Sequence, residues 1–329
     1  MQKKKHHYVP VTYLKGFTDL GGRIFACRKD EPENQLHLKP DGIAFERYYY
    51  SQPVPSGGQD NNTIEDLFGK TEAHWPGILE RIRARQDLMS SYEHLATFLG
   101  LMRVRGPAAR DVVETYLAAG VAQVGKQLKE QGKLPPAPES FPDIADHIEI
   151  SIDPHQSLHA IPPQLQGFAE LVDQLEYQVL HDATGIGVIT SDNPVVYFDP
   201  ALPSHRLIPY PRRLSTRSME LYFPLSANAV LRGRTVVGGA RRPIAHVEVR
   251  SARVMRGINE LVARFAYRLV FSSSSKHHAL ARKFSRQSPI LRSGSYMIPG
   301  AHFLKEYDYE FGPRPKKVKW TKLPLDDAD

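Results

Sequence analysis

The apolar positions change their spacing several times along the chain, and each change predicts a different element. Between residues 8 and 50 they come in short clusters separated by turn residues: Tyr8-Val9-Pro10-Val11-Thr12-Tyr13, then Arg23-Ile24-Phe25-Ala26-Cys27 after Gly21-Gly22, then residues 45–50. Such clusters predict short strands. Beyond the polar loop 57–63, where Asn62 or Thr63 can cap a helix, Ile64, Leu67 and Phe68, then Ile78, Leu79 and Ile82, fall at helical spacing with a break at Pro76. Leu95, Phe98, Leu99 and Met102 follow the i, i+3, i+4, i+7 pattern behind the caps Ser90 and Ser91, and Pro107 stops or kinks that helix before residues 108–131 continue as another. Pro135, Pro136, Pro138 and Pro142 then mark a linker or rigid loop.

In the second half, Pro162-Pro163 opens a helix running to about residue 175. Strands are predicted at 177–181, 185–190, 195–198, 218–223, 229–231 and 246–249. The clearest helical stripe is Ile258, Leu261, Val262, Phe265, Ala266, Leu269, Val270. Together these predict an α+β fold: a mixed or antiparallel sheet built from the N-terminal strands and residues 177–250, covered by helices at 64–131, 163–175 and 256–272. One domain over 1–275 is expected, with a subdivision near 133–142 as the alternative, followed by a basic extension at 276–329 whose last residues fray.

Composition narrows the class. With 329 residues, 41% hydrophobic and 24% charged, the chain has a globular rather than a disordered balance. No run approaches the ~20 apolar residues of a membrane span, and the basic start, residues 1–7, has no apolar segment behind it, so no membrane contact and no secretory signal are expected. One cysteine, Cys27, excludes an internal disulfide and a multi-thiolate zinc site, which points to a reducing, cytoplasmic setting. The net charge of +7 is unevenly spread: residues 139–182 hold nine acidic residues and no Lys or Arg, whereas residues 183–329 carry 24 basic against 11 acidic residues. A basic half of this kind can attract phosphate backbones, or it can pair with the acidic block or remain a solvated surface.

Several polar groups could carry chemistry. His6 and His7, on a strand, point to opposite faces; each could act as general base, metal ligand or phosphate contact, or belong to a structural arm. Glu65 and Glu72 are seven apart on one helix, so they return to the same side within ~20°. They could hold Mg²⁺ or Mn²⁺, or form salt bridges on a solvated face. Ser191, Asp192 and Asn193 follow an apolar run and precede Pro194, which places a hydroxyl, a carboxylate and an amide at a strand end; an Asx turn is the alternative. Arg103 and Arg105 end a helix, where a cation suits the dipole, and an inward Arg105 would make a fork for carboxylate or phosphate. Asn259 borders the apolar stripe, and His277-His278 reads as surface charge. Walker, Gly-x-Gly-x-x-Gly, His-Glu-x-x-His and Cys-x-x-Cys motifs are absent from the sequence.

Lys5-His6-His7-Tyr8-Val9-Pro10 with Tyr13-Leu14 and Phe17, the Glu65 to Glu72 helix, Arg105-Gly106-Pro107, Ile189-Thr190-Ser191-Asp192-Asn193-Pro194 and the Asn259 helix together resemble the bacterial family called domain of unknown function 4238. The resemblance covers about residues 5–272 and brings no settled activity. It implies that His7, Glu65, Glu72, Asp192 and Asn193 wall one pocket. The leading expectation is a metal-assisted hydrolase, a nuclease or phosphodiesterase acting on nucleic acid or a nucleotide. Glu65, Glu72 and Asp192 would hold the divalent ion; His6 or, preferentially, His7 would act with Asp192 and Asn193 in catalysis; Tyr8, Arg105, Ser191 and Asn259 would contact substrate. Two alternatives stand beside it: a non-enzymatic nucleotide or nucleic-acid sensor, as in bacterial defence, and a buried polar network that only stabilises the fold.

Overall fold

A computed structural model describes residues 3–144, 147–211, 219–235, 243–296 and 304–317. The first quarter holds β1 (Lys5–His7), the single turn α1 (Val11–Leu14), β2 (Ile24–Arg28), β3 (Gln35–Leu38), β4 (Phe45–Arg47) and two-residue strands β5 (Gln52–Pro53) and β6 (Gln59–Asp60). Five helices follow: α2 (Thr63–Glu72), α3 (Trp75–Arg83), α4 (Tyr92–Val104), α5 (Pro107–Glu130) and α6 (Ile161–Val172). The second half contains β7 (Leu175–Asp182), β8 (Thr190–Ser191), β9 (Val196–Phe198), β10 (Glu220–Ser226), β11 (Ala229–Thr235), β12 (Ala245–Val249), α7 (Ala252–Phe265), β13 (Leu269–Ser272), α8 (His278–Lys283), β14 (Ser288–Tyr296) and β15 (Leu304–Gly312). Helices and sheets of mixed and antiparallel pairing make this an α+β fold, as expected.

Local chemistry accounts for many boundaries. The predicted break at Pro76 falls between α2 and α3, with the proline in the first turn of α3, where its missing N–H has no partner to lose. Asp60 accepts from the amides of Asn62 and Thr63 and so caps the entry to α2; Asn62 itself makes no side-chain cap. Pro107 likewise opens α5 rather than interrupting a longer helix.

Four expectations need correction. Residues 8–13 are not a strand: β1 stops at His7, Pro10 cannot donate to a ladder, and Val11–Leu14 coil instead. The turn is worth making because it drives Tyr13 into the core, against Phe223 at 5.4 Å and Trp75 at 5.7 Å, with its hydroxyl bonded to Thr190 and to the Pro224 carbonyl. Residues 185–189 are not a strand either, since Gly185 and Gly187 take φ of +73° and +84°, and only Thr190–Ser191 pairs. The stripe ends at Phe265; Ala266 turns to ψ 137°, and Leu269 and Val270 belong to β13. Finally, the strands form separate sheets. β12-β7-β11-β10-β9 is one, parallel only between β12 and β7, while the N-terminal β3 and β2 join β13 and β8 in another, antiparallel throughout.

Described parts of the C-terminal segment pack into the molecule. Ala281 and Phe284 lie in the main core, and the β14–β15 ribbon rests on α5 and α7. His277, read as surface charge, is buried with Nε2 3.1 Å from the Ile186 carbonyl. No helix among the described residues is long and apolar enough to cross a membrane.

Candidate functional site

Most of the residues singled out in the sequence fall into two groups, each centred on buried polar side chains. In the first, Arg105 follows α4 and is 1% exposed. Its Nη1 donates to Glu72 at 2.5 Å and its Nη2 to the His7 carbonyl at 2.5 Å, and the guanidinium lies 4.6 Å above the Phe68 ring. Tyr50 donates its hydroxyl to the Arg105 carbonyl at 3.0 Å. His6, fully buried, stacks on Tyr50; its Nδ1 accepts from the Tyr50 amide at 2.9 Å, which leaves Nε2 to donate to the Lys3 carbonyl at 3.2 Å. Both nitrogens of a neutral ring are thereby used, and burial lowers its pKa. The half-buried His7 ring reaches the Asp41 carbonyl at 3.3 Å. Glu65 shares the side of α2 that faces Arg105 and Glu72, and its Oε1 is buried without a partner among the described residues; burial raises its pKa.

The second group holds a chain reversal. Asp192 accepts from the amides of Tyr267 at 2.9 Å and Arg268 at 2.8 Å, one to each carboxylate oxygen. Asn193 donates to the Phe265 carbonyl at 2.8 Å and to the Tyr210 hydroxyl at 2.7 Å, and Ser191 Oγ accepts from the Asn193 amide. Lys29, 2% exposed, donates to the carbonyls of Ala263, Arg264, Ala266 and Gln287 at 2.7–3.3 Å, and burial pushes its pKa down to about 7. One basic side chain thus satisfies the carbonyl end of α7 while Asp192 satisfies the amides that follow. Asn259, within α7, accepts from the Ile189 amide and donates to the Gly187 carbonyl, replacing the ladder that the two glycines break. The two groups meet at Gly106, where an added Cβ would lie 3.0 Å from the Asp192 carbonyl.

Where the first β ribbon faces the four-stranded sheet, the structure opens a cleft of about 280 Å³. Tyr8, Arg28, Asp30 and Arg268 supply its polar lining, with Leu38 and Phe45 among its apolar walls. Tyr8 is 6% exposed, and among the described residues its hydroxyl has no hydrogen-bond partner. Arg28 pairs with Asp30 at 3.0 Å and Arg268 with Glu46, both exposed enough for the pairs to be weak. Arg268 Nε is buried and has no partner among the described residues.

Of the predicted site residues only Tyr8 lines this cleft. Asp192 reaches it indirectly, by fixing the backbone of Arg268. Glu72 is taken by Arg105 and Asp192 by backbone amides, so the proposed ligand set Glu65, Glu72 and Asp192 is divided between the two groups. Among the described residues no three His, Cys, Asp or Glu side chains form a group that could hold a metal ion. Arg28, Lys29 and Arg268 were missed from the sequence. The available signal was weak: Arg28 and Lys29 come just after the apolar run Ile24 to Cys27 and Arg268 just after Phe265-Ala266-Tyr267, where the chain leaves a strand or a helix.

A family described as "Protein of unknown function (DUF4238)" matches residues 5–276 of the chain. No curated protein and no solved structure matches it.

Proposed function

We propose, from the premise that the chain belongs to the DUF4238 family, that it is a module binding the phosphate-bearing end of a nucleotide or nucleic acid in the Tyr8 cleft. The observation that carries this is the meeting of the Tyr8 hydroxyl, without a hydrogen-bond partner among the described residues, with two guanidiniums, Arg28 and Arg268, in one cavity that also offers apolar walls. A phosphate takes several donors at once, and Arg forks suit it. Exposed ion pairs such as Arg28–Asp30 contribute under about 1 kcal/mol, so a dianion can displace them. The excess of basic residues in 183–329 adds long-range attraction.

Binding without turnover is favoured over metal-assisted phosphodiester cleavage because Glu72 and Asp192 already serve Arg105 and the α7–β13 reversal. The test is fluorescence polarisation with 5′-phosphorylated and dephosphorylated oligonucleotides, alongside calorimetry with mononucleotides. Preference for the phosphorylated probe, weakening with salt, indifference to chelator and a roughly tenfold loss in Arg28→Gln are expected. Equal binding of both probes, or unchanged affinity in Arg28→Gln and Tyr8→Phe, overturns the reading. Cleavage dependent on Mg²⁺ or Mn²⁺ that Glu72→Ala and Asp192→Ala abolish puts the hydrolase in its place.

A further inference from the structure

A second cavity, of about 200 Å³, lies between the end of α4, α6, β9 and β15. Arg103 lines it together with Gln164, Gly167, Phe168, Tyr197 and Tyr309. The Arg103 guanidinium sits 3.9 Å from the Tyr210 ring centroid and 5.8 Å from that of Tyr197. Among the described residues it forms no salt bridge, in contrast to Arg28, Arg105 and Arg268. Aromatic faces stabilise a cation without neutralising it, so the positive charge remains available to an anion. Tyr210, the ring on which Arg103 rests, is fixed by Asn193 Nδ2 at 2.7 Å and donates to the Val195 carbonyl at 3.2 Å. Tyr309 meets Tyr210 edge-on at 5.3 Å and comes from β15, beyond the matched residues 5–276.

We infer that this cavity is a separate binding site for a small planar aromatic anion, whose acidic group pairs with Arg103 and whose ring lies among Phe168, Tyr197 and Tyr309. The volume is below that of drug-sized sites, which limits the occupant to a single ring or a fused pair. Asn193 is a positioning residue here, acting through Tyr210. The β14–β15 ribbon supplies one wall, so ligand choice depends on a segment outside the family match.

The experiment uses the full chain with benzoate and phenyl phosphate as probes and benzamide as the neutral control, read by calorimetry and by Tm. Either anion is expected to bind at least tenfold more tightly than benzamide, and the better of the two identifies the acidic group as carboxylate or phosphate. Arg103→Met removes the preference. Because that variant can lose stability, Gly167→Leu is the independent arm: Gly167 lines the cavity and a Cβ there meets nothing within 4 Å, so a leucine is accommodated at the cavity mouth without a clash and replaces a helix-weakening glycine. It should fold with an equal or higher Tm and lose binding of both anions at this cavity. The inference is overturned if neither anion binds at about 10 mM, a level that reveals even millimolar affinity, if benzamide binds as well as the anions, or if Gly167→Leu binds like the wild type.

Discussion

The reversal between α7 and β13 and the neighbouring Tyr8 cleft use buried polar groups in opposite ways. At the reversal, Lys29 meets four carbonyls, both oxygens of Asp192 meet amides, and Asn193 bridges Phe265 and Tyr210. In the cleft, the Tyr8 hydroxyl has nothing to bond among the described residues, and the arginines hold only exposed carboxylates. The difference teaches that the polar residues most conspicuous in the sequence hold the backbone in place. The groups left over for a ligand are their neighbours in space.

The strongest way to break this contrast is Arg105→Met, which leaves Glu72 and the His7 carbonyl without their donor. Loss of one partner of a buried pair costs about 3–5 kcal/mol, and the partial exposure of Glu72 places this case near the lower value. Urea unfolding should show it; an unchanged midpoint would mean that Arg105 is free to serve a ligand. Asp192→Ala comes next, stranding the amides of Tyr267 and Arg268 at about 2–3 kcal/mol. For a chain of this size the Tm should fall by roughly 3–4 °C. A Tm rise with Mg²⁺ that this substitution removes would return Asp192 to the role of metal ligand.

A smaller effect should appear on acidification. His6 is neutral in the fold, with its pKa lowered from 6.5 by burial, so the unfolded chain binds the proton more readily. Its contribution to stability is therefore complete above pH 6.5 and declines as the pH falls through the lowered value. Protonation would also set an N–H at Nδ1 against the Tyr50 amide. Unfolding free energy measured from pH 7 to 4 should drop more steeply in the wild type than in His6→Gln; parallel curves would count against a neutral, structural His6. The smallest change in stability is expected for Tyr8→Phe, within about 0.5 kcal/mol, because no internal bond is lost. Its effect should appear in affinity for phosphorylated probes, a loss of about 1 kcal/mol, or some fivefold. A stability loss equal to that of Asp192→Ala would erase the distinction between the two regions.

Much of the helical framework was legible, because amphipathic spacing and proline are local signals. The α2 to α3 break at Pro76, the start of α5 at Pro107 and the buried stripe Leu95, Phe98, Leu99, Met102 all follow from neighbours within a few turns. The same-side placement of Glu65 and Glu72 was legible for that reason too. The signal misled where a residue's partner lay far away. Leu269 and Val270 keep helical spacing with Phe265, yet Ser191 and Cys27 offer strand pairing and Lys29 caps the carbonyls just before them. Tyr13 looked like strand because nothing nearby in sequence announces the rings of Trp75 and Phe223.

By itself, then, the sequence determined the α+β class, most of the helices and the five strands of the larger sheet, since these follow from periodicity and backbone restriction. Only the tertiary structure decided that Asp192 faces two amides, that Glu72 faces Arg105, and that Tyr8 and Arg103 border open cavities. The physical reason is that a buried polar atom's role is set by which donor or acceptor reaches it within about 3 Å. That geometry arises where separate sheets and a helix end stack, from residues as distant in the chain as Lys29 and Ala266.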